Sequence, residues 1–194
     1  TMIQKTVLPN GVRILSEQVP SVRSCSIGIW VESGSRHEPE ALCGISHFLE
    51  HMLFKGTETR TAAQLATAFD AIGGQVNAFT TKENGADQTL SGLRECEEPE
   101  MGNLYYEDGE GNVIQAEGRG YASTNANLER GVILEEIGMY EDSPEDLVVE
   151  RLASAIYDGS PLGRPILGTK ERLQTIHGST LGEYCRSHYN PDNT

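Results

Sequence analysis

The sequence contains no run of 18 apolar residues among its 194, so no segment is long and apolar enough to cross a membrane as a helix. Its four cysteines are scattered without a C-x-x-C pair, which favours reduced thiols in a cytosol-like compartment over a disulfide framework. The first residues, TMIQKTVLPNGVRIL, follow a strand pattern and lack the apolar segment of a signal peptide. We therefore expect no membrane partner and no disulfide-stapled secreted domain.

Basic residues are scarce, because 15 Lys and Arg stand against 29 Asp and Glu, for a formal net charge of −14. Phosphate binding needs clustered Lys and Arg, so this balance argues against a nucleic-acid partner. It suits a basic peptide, although the same charge could simply keep the protein in solution. The length and a hydrophobic content of 37% fit one domain with its own core.

An H-x-x-E-H motif, His47 to His51, lies inside an apolar segment. On a helix, two imidazoles four residues apart lie one above the other, and Glu50 shares their face. This arrangement offers Zn²⁺ two nitrogen ligands and places a base beside a metal-bound water. The alternative is a surface helix with solvated His and Glu. The helix is supported by an apolar stripe that comprises Ile45, Phe48, Leu49, Met52 and Leu53.

A third zinc ligand is expected from a second helical pattern, over Asn127–Tyr140. Glu129 and Glu136 are two turns apart and share a face, whereas Glu135 points about 100° away. We predict Glu136 as the third ligand and Glu129 as an acceptor for a ligand His. The alternative is that these carboxylates are ordinary surface acids.

The remaining periodicity predicts an α+β fold, with a mostly antiparallel sheet and helices packed on it. Expected strands are Thr6–Leu8, Val12–Glu17, Cys25–Val31 and Gln75–Thr80. Expected helices, besides the two above, are Thr61–Ile72, one opened by Ser143-Pro144, Lys170–Ile176 and Thr180–His188. In the helix opened by Ser143-Pro144, the residues expected to face inward are Leu147, Val148, Leu152, Ala155 and Ile156.

Together these runs resemble the N-terminal part of an M16-family (pitrilysin or mitochondrial-processing-peptidase-like) zinc protease, in its bacterial processing-peptidase-like branch. The resemblance covers residues 1–83 and 129–194 almost throughout. The matching runs are LPNGVRILSEQVPSVRSCSIGIWVESGSRHE, GISHFLEHMLFKGT, FDAIGGQVNAFTTKE, ERGVILEEIGMYEDSPEDLV, PLGRPILGT and HYNPDNT.

The resemblance implies a zinc-dependent endopeptidase that hydrolyses unfolded or extended peptides, on a LuxS/MPP-like metallohydrolase module. It implies His47 and His51 as zinc ligands, Glu50 as the base, Glu136 as the third ligand and Glu129 as the second acidic residue of its helix.

It further implies that a peptide lies beside Asn77, Ala78 and Phe79, and that a second M16-like module or subunit is a partner. We expect residues 1–194 to form a single peptidase module, truncated at its C-terminus. The expected location is the bacterial cytoplasm, with the mitochondrial matrix as the alternative.

The chain departs from the family between the two motifs, because Glu136 follows His51 by 85 positions, more than the family spacing. The excess lies in 84–128, a Gly-rich, acidic stretch without a sustained apolar period, in which 104–106 and 112–115 could form a small hairpin. Three readings stay open: a replacement of the family's segment, a disordered loop, or a corrupted reading of the gene. If a strand and a helix are missing there, the helix of Glu136 is expected to sit badly against the His pair.

Two other functions remain open. The chain could be a catalytically silent M16-like partner, or an inactive fragment that binds zinc or peptide without turnover. It could also be a zinc hydrolase of non-peptide substrates, for which the sequence offers only the generality of zinc-water chemistry.

Overall fold

A computed structural model describes residues 2–56, 60–84, 89–91, 105–107, 113–115 and 123–194. Of the three short strands at 89–91, 105–107 and 113–115, and of residues 123 and 124, it describes the backbone alone. Most of the atypical segment 84–128 therefore lies outside the described residues. Among those described, no helix combines the length and apolar character needed to span a bilayer.

The strands form small antiparallel sheets, as the sequence predicts. Strands β1 (Ile3–Val7) and β2 (Arg13–Glu17) make the expected hairpin around Pro9-Asn10-Gly11, with Val7 opposite Arg13. Strands β3 (Ser26–Ile27), β4 (Gln75–Asn77) and β5 (Thr89–Ser91) form a sheet in the order β3-β5-β4. Strands β6 (Tyr105–Glu107) and β7 (Val113–Gln115) pair at the hairpin expected within 84–128.

Helices make up the larger part of the described chain. They are α1 (Ile45–Leu53), α2 (Ala62–Ala71), α3 (Ser123–Asp142), α4 (Pro144–Ile156), α5 (Lys170–Thr175) and α6 (Gly178–His188). Thr61 caps α2 in a reciprocal box with Gln64, and Pro144 occupies the first position of α4. The observed architecture is the α+β arrangement that the sequence predicts.

The core gathers around α1, which packs against α3 and α6, while α5 packs against α3. Of the predicted apolar stripe, Ile45, Phe48, Leu49 and Met52 are buried in this core. Arg130 of α3 strengthens this packing, since its Nε donates to the carbonyl oxygen of Leu173 at 2.9 Å and its guanidinium lies over the Phe48 ring. The fully buried apolar residues contributed by α1 and α3 are Ile45, Phe48, Leu49, Met52, Ala126 and Ile133. The helix of the H-x-x-E-H motif is therefore the centre of the fold.

Two predictions from periodicity were wrong. The strand expected over Cys25–Val31 is shortened to Ser26–Ile27, both exposed. On α4, Leu147 is half-buried, but Val148, Leu152, Ala155 and Ile156 are exposed rather than inward-facing. Helical spacing correctly puts them on one face, but no described element covers that face, and burial depends on such a covering layer.

Candidate metal centre

The N-terminus of α1 is fixed by a buried carboxylate. Glu38 Oε2 accepts a hydrogen bond from the Gly44 backbone N–H at 2.7 Å, and Oε1 accepts one from the Ser46 N–H at 2.8 Å. These contacts satisfy N–H groups that a helix start leaves unpaired. Gly44 itself has φ of 95°, and a Cβ there would lie 2.7 Å from the carbonyl oxygen of Leu167. The start of the motif helix therefore has little freedom to shift.

His47, His51 and Glu136 come together between α1 and α3. Glu136 Oε2 lies 3.7 Å from His47 Nε2 and 3.4 Å from His51 Nε2. One ligand-type atom from each residue lies within 4.8 Å of the other two. In tetrahedral zinc sites with bonds of about 2.0–2.1 Å, neighbouring ligand atoms are roughly 3.3 Å apart. The donor set and spacing therefore fit Zn²⁺, and the longer separation in sequence does not pull Glu136 away from the His pair.

The surroundings of His47 keep its imidazole neutral, which is the form that binds a metal ion. Burial, and secondarily the neighbouring His51, lowers the pKa of His47 to about 4. The ring is therefore neutral at pH 7 and keeps a lone pair available. In the described part of the chain, its buried Nδ1 has no hydrogen-bond partner, while Nε2 faces Glu136.

Glu129 lies behind His51, as predicted for an acceptor to a ligand His. Its Oε2 lies 3.3 Å from His51 Nδ1, so His51 Nε2 is left facing Glu136. The other oxygen, Oε1, lies 2.9 Å from Lys55 Nζ. Glu135, which was expected to point away from this face, is exposed on α3 and does not belong to the cluster.

Glu50 is half-buried beside the cluster. Burial raises the pKa of its carboxyl above the usual value, while a hydrogen bond from Thr80 opposes that shift. The Thr80 hydroxyl donates to Glu50 Oε2 at 2.6 Å. A base needs a raised pKa and a free oxygen, and Oε1 is the oxygen that Thr80 does not use.

The predicted peptide-binding residues lie at and just beyond β4. Asn77 ends the strand opposite Thr89, Ala78 is buried, and Phe79 packs edge-on against Trp30 with ring centroids 5.7 Å apart. Within the described residues, β4 pairs with β5 on one side only. Thr80 follows directly, so this strand end lies next to Glu50.

Sequence reasoning missed Lys55 and Thr80, which contact Glu129 and Glu50, and Glu38, which holds the start of α1. Lys55 follows His51 by four positions, a spacing that indicates a shared face, but it lies past the last residue of α1. Glu38 and Thr80 act across loops, for which sequence spacing carries no signal.

Comparison with known proteins identifies relatives of this chain. The family model described as Insulinase (Peptidase family M16) matches residues 13–88. YmxG of Bacillus subtilis, named an uncharacterized zinc protease, is 42% identical over 193 residues, which are 98% of this chain and 44% of that protein. An uncharacterized zinc protease of Streptomyces coelicolor is 40% identical over 189 residues, 97% of this chain and 39% of that protein. The chain belongs to peptidase family M16.

Solved structures share the fold of this M16 chain at lower identity. A protease from Helicobacter pylori superposes with a TM-score of 0.79 and 21% identity, covering 99% of this chain and 44% of that one. The periplasmic protease PqqL of Escherichia coli gives 0.78 and 19%, covering 98% of this chain and 21% of that one. The chain thus spans about two fifths of the length of the curated relatives named above.

Proposed function

We propose that this M16 chain carries the metal-binding and proton-transfer residues of a zinc-dependent endopeptidase that cleaves unfolded or extended peptides. The observation that carries the proposal is the convergence of His47, His51 and Glu136, with Glu50 beside them. The names of the relatives, which are zinc proteases, support zinc as the metal.

In this proposal His47 Nε2, His51 Nε2 and Glu136 Oε2 hold the ion. When bound, Zn²⁺ supplies Lewis acidity, which polarises a carbonyl oxygen and lowers the pKa of a bound water. Catalytic zinc sites typically have three protein ligands, and His47, His51 and Glu136 would provide that number here.

Glu50 moves the proton. Its carboxylate accepts a proton from the attacking water and returns it to the amine that leaves. The raised pKa of Glu50 suits a group that must hold this proton between the two steps. Thr80 keeps Oε2 occupied, so Oε1 is the oxygen that exchanges the proton.

The substrate would add as an extended strand along the edge of β4. The backbone there offers hydrogen bonds to a peptide, and the exposed Asn77 side chain carries both a donor and an acceptor. A peptide in that position would run past Thr80 toward Glu50. The acidic chain favours a basic peptide. The additional length of the relatives supports a second M16-like module or subunit as the partner that completes the binding site.

The test combines zinc analysis with a fluorogenic peptide assay of the 194-residue chain, with and without a chelator. We expect about one zinc per chain and cleavage that the chelator abolishes and added Zn²⁺ restores. Zinc without cleavage would favour the catalytically silent reading, and absence of zinc binding would overturn the metal site itself.

A further inference from the structure

Lys55 is linked to the proposed metal ligand His51 through Glu129, which contacts both residues. Its side chain reaches Glu129 on α3, where Nζ and Oε1 are 2.9 Å apart. The Glu129 side chain is 9% exposed, whereas that of Lys55 is 38% exposed. A carboxylate with so little access to water depends on its protein partners. Among the described residues Glu129 has two such partners, with Lys55 on one oxygen and His51 Nδ1 on the other.

We propose that Lys55 is a positioning residue for the His51 ring, acting through Glu129. The Lys55 ammonium holds Oε1, which keeps Oε2 directed at His51 Nδ1. An ionised carboxylate only accepts hydrogen bonds, so Nδ1 carries the ring proton and Nε2 keeps the lone pair. Nε2 is the nitrogen that faces Glu136. As a role in metal binding, the inference rests on the proposed function.

Without Lys55, the Glu129 carboxylate keeps one protein partner and gains freedom to rotate toward water. The ring of His51 then loses a fixed acceptor, and either nitrogen can carry the proton. Partners that orient a ligating His typically change metal affinity by 10–100-fold when removed. We expect removal of Lys55 to lower the zinc affinity by an amount at the lower end of this range, because Lys55 contacts Glu129 and not the ligating His itself.

Simple electrostatics predicts the opposite sign. Lys55 is a positive charge close to a site for a cation, so its removal alone would strengthen Zn²⁺ binding. A fall in affinity on removal of Lys55 therefore cannot come from lost repulsion between its ammonium and the ion, and this makes the sign of the change decisive.

The experiment measures the Zn²⁺ dissociation constant of the 194-residue chain by competition with a chromogenic chelator. We expect Lys55→Met to weaken binding about tenfold and Lys55→Arg, which keeps the cation, to stay close to the unchanged chain. The matched control is Lys170→Met, which removes the same charge from the exposed Lys170–Glu141 pair. It should leave the affinity unchanged. Equal or tighter binding by Lys55→Met would overturn the proposal.

A second readout needs no metal. Nitrogen chemical shifts of the His51 ring in zinc-free protein should report a proton on Nδ1, and this preference should be lost in Lys55→Met and retained in Lys55→Arg. A tautomer unchanged in Lys55→Met would overturn the positioning role even if the affinity fell. Failure of the unchanged chain to bind zinc would overturn the proposed function, while the tautomer would still decide what Lys55 does to the ring.

Discussion

The Thr80 hydroxyl donates a hydrogen bond to Glu50 Oε2 across 2.6 Å, which joins the chain just past β4 to the H-x-x-E-H helix. We propose that a peptide binds along β4, and the end of this strand lies next to Glu50, the residue proposed to transfer the proton. A peptide that pairs with β4 would therefore be set in register with Glu50.

We expect Thr80→Val to lower kcat about tenfold, because a hydrogen bond to a charged group is worth about 1.5 kcal/mol and the freed carboxylate can rotate. Thr80→Ser retains the hydroxyl and should restore most of the rate. Thr67→Val, on the exposed face of α2, serves as the matched control. Equal rates for the two valine variants, with equal zinc content, would remove Thr80 from the mechanism.

Glu50→Gln should keep zinc and lose turnover. The amide has nearly the shape of the carboxylate but cannot accept the proton, and a positioned general base contributes about 10²–10⁴-fold. Metal analysis and a peptide assay on the same preparation check both halves. Loss of zinc, or unchanged cleavage, would contradict the role of Glu50 as the base.

Glu136→Gln should weaken zinc retention, whereas Glu135→Gln should not. Both substitutions remove one negative charge from α3, but only Glu136 belongs to the cluster with the His pair. Zinc content after dialysis against a graded series of chelator concentrations ranks the two variants. The reverse ranking would move the third ligand to Glu135.

The contribution of His47 to the stability of the zinc-free protein should fall as the pH is lowered from 7 to 5. His47 has a pKa of about 4 when folded and about 6.5 when unfolded, so between these values the unfolded chain binds the extra proton. This linkage amounts to about 2 kcal/mol between pH 7 and pH 5. Urea unfolding in the presence of chelator measures it, and His47→Gln should lose this part of the pH dependence. The same slope in both proteins would contradict the low pKa.

The sequence predicted the parts of the site that lie on regular helices. Spacing on one helix fixes a common face, so His47, Glu50 and His51 could be grouped without coordinates. The same rule separated Glu136 from Glu135, and the structure brings Glu136 to the two rings. A poor fit for Glu136 was expected only if a strand and a helix were missing from 84–128. In the structure α1 packs against α3, and Glu136 Oε2 lies 3.4 Å from His51 Nε2.

The features of the site that could not be predicted from the sequence depend on contacts between separate segments of the chain. Thr80 meets Glu50 from a loop, and Lys55 meets Glu129 from beyond the end of α1. Exposure of Leu152 on α4 has the same origin, because periodicity identifies a face but not what covers it.

The clamp that Glu38 places on the start of α1 has a further consequence. The first turn of α1 is held by this carboxylate, and its apolar side packs in the core against α3, the helix that carries Glu129 and Glu136. The geometry of the ion-binding groups then resides in two packed helices and not in the stretch of chain that connects them. The connection between α1 and α3 could lengthen, shorten or change composition during evolution without moving the His pair away from Glu136.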